Sequence, residues 1–199
     1  MKHGKQGIRI VAISGSVRPG NFTSHALNVV VDEFRQHPDV GLEVIDPATV
    51  ELPLPGTGEE SPAAQRVKAA VAQATGVVLA TPEYHGSYSS VIKLVIENLG
   101  FPSVLAGKPV SLLGVAAGTI GAIKALEHLR SVCSHVGAIV LPGPVSVAEV
   151  HKVFDEEGRC INAAIEKRIR GVAQNLMDYI RTNVCPRVAL EEMVRKGVK

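Results

Sequence analysis

The 199-residue chain has no tryptophan, and aromatics make up only 4% of it. A stacking surface of the lectin or single-strand-binding kind is therefore excluded. Cysteine is scarce as well: Cys133, Cys160 and Cys185 stand 27 and 25 residues apart with no CxxC pair, so neither a zinc site nor a disulfide framework is expected. No run of 18 apolar residues occurs, which leaves no candidate for a membrane span. The first apolar stretch, Ile8–Ile13, contains Arg9 and is too short for a signal-peptide core, so a reducing cytoplasm is the expected compartment. Net charge is nearly absent too. The formal +2 comes from the segment Val184–Lys199, where Arg187, Arg195, Lys196 and Lys199 outnumber Glu191 and Glu192; residues 1–183 balance at 17 against 17. A body with no charge excess argues against a nucleic-acid partner, and the basic tail reads as solvated or laid on a second subunit.

What is present is a compact αβ pattern. Hydrophobic residues reach 46% against 20% charged, so the chain is neither disordered nor fibrous, and its length gives roughly one domain. Ile8–Ser14, Leu42–Ile45, Val77–Ala80, Val110–Ala116 and Ala138–Leu141 are short runs of Val, Ile and Leu bounded by Gly or Pro, the pattern of strands buried on both faces. Helical segments are expected between them, at Ser24–His37, Ala63–Ala74, Ser90–Leu99 and Gly121–His135. A last helix is expected to carry Ile161, Ile165, Ile169, Val172, Leu176 and Ile180 on one stripe, and to be interrupted at Pro186. Five strands each followed by a helix predict a doubly wound five-stranded parallel α/β sheet, with one domain over 1–183 and an extension over 184–199.

In such a sheet, ligands sit beyond the carboxyl ends of the strands, where the strand order reverses. With the order 2-1-3-4-5, the loops at that point are 14–23 and 81–88. The first reads Ser14-Gly15-Ser16-Val17-Arg18-Pro19-Gly20-Asn21-Phe22-Thr23. Its glycines let backbone amides turn inward. Ser16, Asn21, Thr23 and Ser24 offer polar side chains, Arg18 offers a cationic fork, and a helix start follows. These donors suit a phosphate monoester, although the loop is neither a P-loop nor GxGxxG. The plain alternative is a polar turn capped by Thr23. The second loop reads Thr81-Pro82-Glu83-Tyr84-His85-Gly86-Ser87-Tyr88. Pro82 stiffens the strand exit, Gly86 permits close approach of a flat ligand, and two aromatics cluster in a chain that has few. Read singly, His85 is an ordinary loop histidine and Tyr88 a cover for the helix start.

Together these two segments resemble the phosphate loop and the flavin-ring loop of the NADPH-dependent FMN reductase family. Val91-Ile92-Lys93, Gly107-Lys108-Pro109-Val110, the turn Ala116-Ala117-Gly118-Thr119-Ile120-Gly121, Leu126-Glu127-His128-Leu129-Arg130 and Phe154-Asp155-Glu156-Glu157-Gly158-Arg159 also match the family's habits. The likeness spans roughly residues 8–182.

The resemblance implies a flavodoxin-like fold that binds FMN, assembled as a homodimer or homotetramer. By position, Ser16, Arg18, Asn21 and Thr23 would hold the phosphate, with Phe22 in the same cofactor-binding loop. Pro82, Glu83, Tyr84, His85 and Gly86 would line the ring, mostly through backbone amides, and Gly118 would lie near its edge. Asn21 and Thr23 stand where the family often has Ser and Asn; Leu94 and Asn98 replace a frequent Asn and a frequent aromatic.

The activity implied is NAD(P)H oxidation: NADPH or NADH reduces FMN, which then reduces a small acceptor such as a quinone, an azo compound, a metal oxyanion or free flavin. No catalytic side chain is required, since the cofactor does the chemistry; His85 is the one candidate proton donor. The competing readings are a flavodoxin-like electron carrier or flavin redox sensor, and a phosphate-binding protein without flavin. The segment Leu52-Pro53-Leu54-Pro55 reads equally as a surface connection or as a contact with a neighbouring subunit or the flavin rim. Cys133 falls on an apolar helix stripe and is expected in the core.

Overall fold

A computed structural model describes residues 7–58 and 61–195. Residues 1–6, and Lys196 and Lys199 of the basic tail, lie outside the described residues. In chain order the elements are β1 (Ile8–Ser14), α1 (Phe22–Arg35), β2 (Val40–Ile45), α2 (Pro62–Gln73), β3 (Gly76–Tyr84), β4 (Ser87–Tyr88), α3 (Ser90–Glu97), β5 (Pro109–Val115), α4 (Ile123–His135), β6 (Ile139–Val140), β7 (Val145–Val147), α5 (Ala163–Tyr179) and α6 (Cys185–Arg195).

The sheet runs β2-β1-β3-β5, and its fifth position is shared by β6 and β7, both parallel to β5. This is the expected doubly wound order 2-1-3-4-5. Every residue of β5 is buried, and in β1 only Arg9 reaches solvent, so these strands read as continuous apolar runs. One face of the sheet packs Ile10, Ala12, Val78, Leu113 and Val115 under α1 and α5; the other packs Val11, Ile13, Val77, Leu79 and Leu112 under α2, α3 and α4. Two polar contacts brace the layers. The buried Glu33 carboxylate on α1 accepts from Gln174 Nε2 at 2.7 Å and meets Arg170 Nη1 of α5 at 3.4 Å. Lys108, just before β5, donates Nζ to the carbonyls of Ala72 and Ala74 at 2.9 and 2.7 Å, closing the carboxyl end of α2.

Four local expectations are corrected. The strand expected at Ala138–Leu141 is split. Leu141 N still donates to Val110 O at 2.9 Å, but Pro142 and Pro144 have no amide to give, and the ladder resumes only at Leu113↔Val145. The segment 81–88 is not an open loop: β3 runs through Pro82 to Tyr84 and folds back on β4. Pro82 is tolerated because β1 ends at the pair Ser14↔Ala80 and β4 pairs only from Glu83, so Pro82 itself faces β5 alone. Ile161 is exposed and lies outside the last helix, which is capped by Asn162 accepting from Ile165 N at 3.1 Å. Pro186 does not end that helix. Residues Ile180–Val184 widen into a π-turn in which Cys185 N donates to Ile180 O, and α6 continues with Pro186 in its first turn, where a missing amide costs little.

Candidate functional site

Loop 14–21 joins β1 to α1, and most of its polar groups are spent on its own shape. Asn21, not Thr23, caps α1: its Oδ1 accepts from Ser24 N at 2.8 Å while its Nδ2 donates to Arg18 O at 2.6 Å. The buried Ser16 hydroxyl accepts from Arg18 N at 3.4 Å, and Ser14 Oγ lies 3.2 Å from Ser24 Oγ. Phe22 turns its ring away, into a cluster with His25 and Phe154 at centroid distances of 6.0 and 6.4 Å. What stays available is the exposed Arg18 guanidinium and the amides of Phe22 and Thr23, which have no carbonyl ahead of them; the Thr23 side chain itself is buried. Among the described residues no carboxylate pairs with Arg18.

The second segment forms the tip of the β3–β4 hairpin. Tyr84 pairs with Ser87, and the two residues between them, His85 and Gly86, have φ of 51° and 72°. This is a two-residue turn with both centres left-handed, a conformation natural for Gly and tolerated by His.

The two segments meet at two points. Gly15 passes so close to β3 that a Cβ there would lie 2.5 Å from Ala80 O and 3.1 Å from Thr81 Cα, so only glycine fits. Ser89, which caps α3 through Ile92 N, also donates Oγ to Gly15 O at 2.5 Å, and its own amide donates to Thr81 Oγ1 at 3.0 Å. Further out, Arg18 Cζ stands 4.7 Å from the centroid of the Tyr84 ring, a cation–π contact linking loop to hairpin. Beside the hairpin tip a cleft of about 360 Å³ opens, walled by Glu83, His85 and Gly86 on one side and by Ala116–Gly121 on the other. A Cβ built on Gly118 meets nothing within 4 Å. The cleft size lies within the range of small-molecule pockets. The Arg18 fork and the amides of Phe22 and Thr23 are donors of the kind a phosphate takes, and the glycine-lined slot has room for a flat group, so the residues present fit a phosphorylated planar cofactor.

The sequence pattern of NADPH-dependent FMN reductases matches residues 8–152. The chain belongs to that family. It is similar to an NAD(P)H-dependent FMN reductase of Pseudomonas aeruginosa, 29% identical over 183 residues, covering 87% of this chain and 96% of that one. It is also similar to an NADPH azoreductase from a Bacillus strain, 35% identical over 155 residues, covering 76% and 83%. Among solved structures, the flavoenzyme NAD(P)H:acceptor oxidoreductase FerB from Paracoccus denitrificans superposes with a TM-score of 0.75 at 20% identity, covering 87% of this chain and 97% of that one, a likeness of fold. The flavodoxin-like fold is thereby shown, and so is an FMN-dependent NAD(P)H oxidoreductase acting on small acceptors.

All the expected site residues of this reductase lie at the carboxyl edge of the sheet, but they do different things. Ser16 and Asn21 shape the loop, Arg18 is exposed with no carboxylate partner among the described residues, Thr23 is buried, and Glu83, His85, Gly86 and Gly118 wall the cleft. Sequence reasoning missed Gly15, Thr81 and Ser89. The signal for Ser89 was the Ser-Ser pair just before an apolar helical run. Nothing local marked Thr81 or the close approach at Gly15.

Proposed function

We propose that Arg18, Thr23 and the first amides of α1 hold the FMN phosphate, and that the slot between Glu83–Gly86 and Ala116–Gly121 takes the isoalloxazine ring. The observation that carries this reading is the junction of the two loops, sealed at Gly15 and bridged by Arg18 and Tyr84. FMN held there would supply the redox chemistry, taking up a hydride from NAD(P)H and delivering electrons to the acceptor. The chain's own residues bind and orient. Gly118 leaves room for the ring's edge, and the backbone amides of the left-handed hairpin tip serve as donors to the ring. His85 is exposed at that tip, positioned to give a proton to a reduced acceptor.

The acceptors proposed are quinones, azo compounds, metal oxyanions or free flavin, used after NAD(P)H has left the same open face. Assembly is proposed as a homodimer or homotetramer in the cytoplasm, with no nucleic-acid partner; no described helix is long and apolar enough to cross a membrane. Residues 184–199 are treated as an extension of the flavin domain. The test is an absorption spectrum of the purified protein, anaerobic, before and after NADPH. Flavin bands that bleach within the mixing time are expected. Protein that releases no FMN on heating would refute the site, and flavin that NAD(P)H alone leaves oxidised would refute the reductase and favour a carrier.

A further inference from the structure

Helix α4 starts without a cap of its own. The residue ahead of it, Ala122, has no side-chain oxygen, and no acidic residue stands in its first turn. Lys124 in that turn carries the wrong sign of charge for a helix start. The missing acceptor comes from 42 residues upstream: Glu83 Oε2, at the end of β3, accepts from Ala125 N at 3.0 Å. Ser146 of β7 supplies the other, its Oγ accepting from Ala122 N at 2.8 Å. Glu83 also walls the cleft, facing the loop 116–121 that leads into α4. One carboxylate therefore ties the hairpin wall of the slot to the helix that anchors the opposite wall, and brings a negative charge to the slot.

We propose that Glu83 is a positioning residue that sets the width of the ring slot and lowers the reduction potential of the flavin held there; this rests on the FMN reading above. The width follows from the tie: Tyr88 packs on Ala122 and Ala125, and Ser87 Oγ lies 3.0 Å from His128 Nδ1, but Glu83 is the hairpin side chain that both lines the slot and bonds the first turn of α4. The potential follows from charge. A ring that gains electrons is disfavoured beside a carboxylate and favoured beside a bare helix N-terminus, whose partial positive charge Glu83 now covers. Glu83→Gln keeps an acceptor oxygen for Ala125 N but deletes the charge; Glu83→Ala deletes both.

The experiment compares wild-type holoprotein with E83Q and E83A. FMN affinity is read by fluorescence titration of the apoproteins and midpoint potential by equilibration with redox dyes. E83A is expected to bind FMN at least tenfold more weakly. E83Q should bind within threefold of wild type, with its potential shifted positive by about 30 mV, the two-electron equivalent of a tenfold preference for reduced over oxidised flavin. A mere structural cap would lower the melting temperature of E83A and leave the E83Q potential where it was. That result, or wild-type FMN affinity in E83A, overturns the proposal; if E83A fails to fold, the E83Q potential decides it. Wild-type protein without flavin overturns the FMN reading itself, whereas yellow wild type with an unmoved E83Q potential overturns only the role of Glu83.

Discussion

Replacing Gly15 by Ala separates the fold of the site from its occupancy. The added methyl would stand 2.5 Å from Ala80 O, 3.1 Å from Thr81 Cα and 3.3 Å from Ile92 Cβ. Two of the three atoms are backbone of β3, held in register with β1 and β5, so they have little room to yield. Overpacking of this kind costs about 1–3 kcal/mol, and rigid neighbours place Gly15→Ala at the upper end. For a chain of this length that lowers the melting temperature by about 6–12 °C. Loop 14–21 must also back away from β3, which strains the hydrogen bond from Ser89 Oγ to Gly15 O and moves Arg18 off Tyr84. FMN affinity should therefore fall together with stability. Gly118→Ala is the counterpart: its methyl meets nothing within 4 Å, so apoprotein stability should hold while the methyl intrudes on the slot and weakens FMN. The assays are urea unfolding of the two apoproteins and FMN titration by fluorescence. A Gly15→Ala protein with wild-type stability and affinity would refute the close approach, and a Gly118→Ala protein with wild-type affinity would refute the placement of the ring.

Arg18→Ala should weaken FMN by about 1.5–3 kcal/mol, the range for a hydrogen bond to a charged group, and an unchanged dissociation constant would remove Arg18 from the phosphate site. Burial pushes the Cys133 thiol up from its ordinary 9.0 to about 12. The folded state therefore keeps a proton that the unfolded chain releases, and the stability this contributes is intact below pH 9 and lost as pH climbs towards 12. Thiol titration should find Cys185 reactive in native protein and Cys133 only after unfolding, and Cys133→Ala should flatten the alkaline loss; a fast-reacting Cys133 would contradict both. Ser111, on β5, has a buried hydroxyl without a partner among the described residues. Ser111→Ala should leave stability unchanged or raise it by about 1 kcal/mol in urea unfolding, whereas a loss of that size would reveal a hidden partner.

The sheet order and both site loops were legible because the chain signals them locally. Apolar runs such as Val77–Ala80 and Val110–Ala116 have only one way to be buried on both faces, and the reversal between β1 and β3 then selects loops 14–23 and 81–88. The parts that were not legible depend on partners distant in sequence. Asn21 and Thr23 look alike as phosphate donors until Asn21 is seen spending both ends of its amide on the loop. Glu83 reads as a ring contact until its carboxylate is found on Ala125 N. Pro82 looked like the end of a strand because the vacancy beside it depends on where β1 stops. Pro186 looked like a helix end because one widened turn, Ile180–Val184, accommodates it without a change in local composition.

The two margins of the sheet face solvent on different terms. At the β6/β7 margin, fragments of two and three residues flank a Pro-Gly-Pro bend, so no incoming strand finds a continuous row of amides and carbonyls to zip onto. At the β2 margin six residues run unbroken, with Glu43 pointing outward as the charged deterrent and Pro47 just past the end. Among the described strands, uncontrolled strand addition, and with it the first step towards fibrils, has its opening on the β2 side, and a neutral residue at Glu43 would widen it.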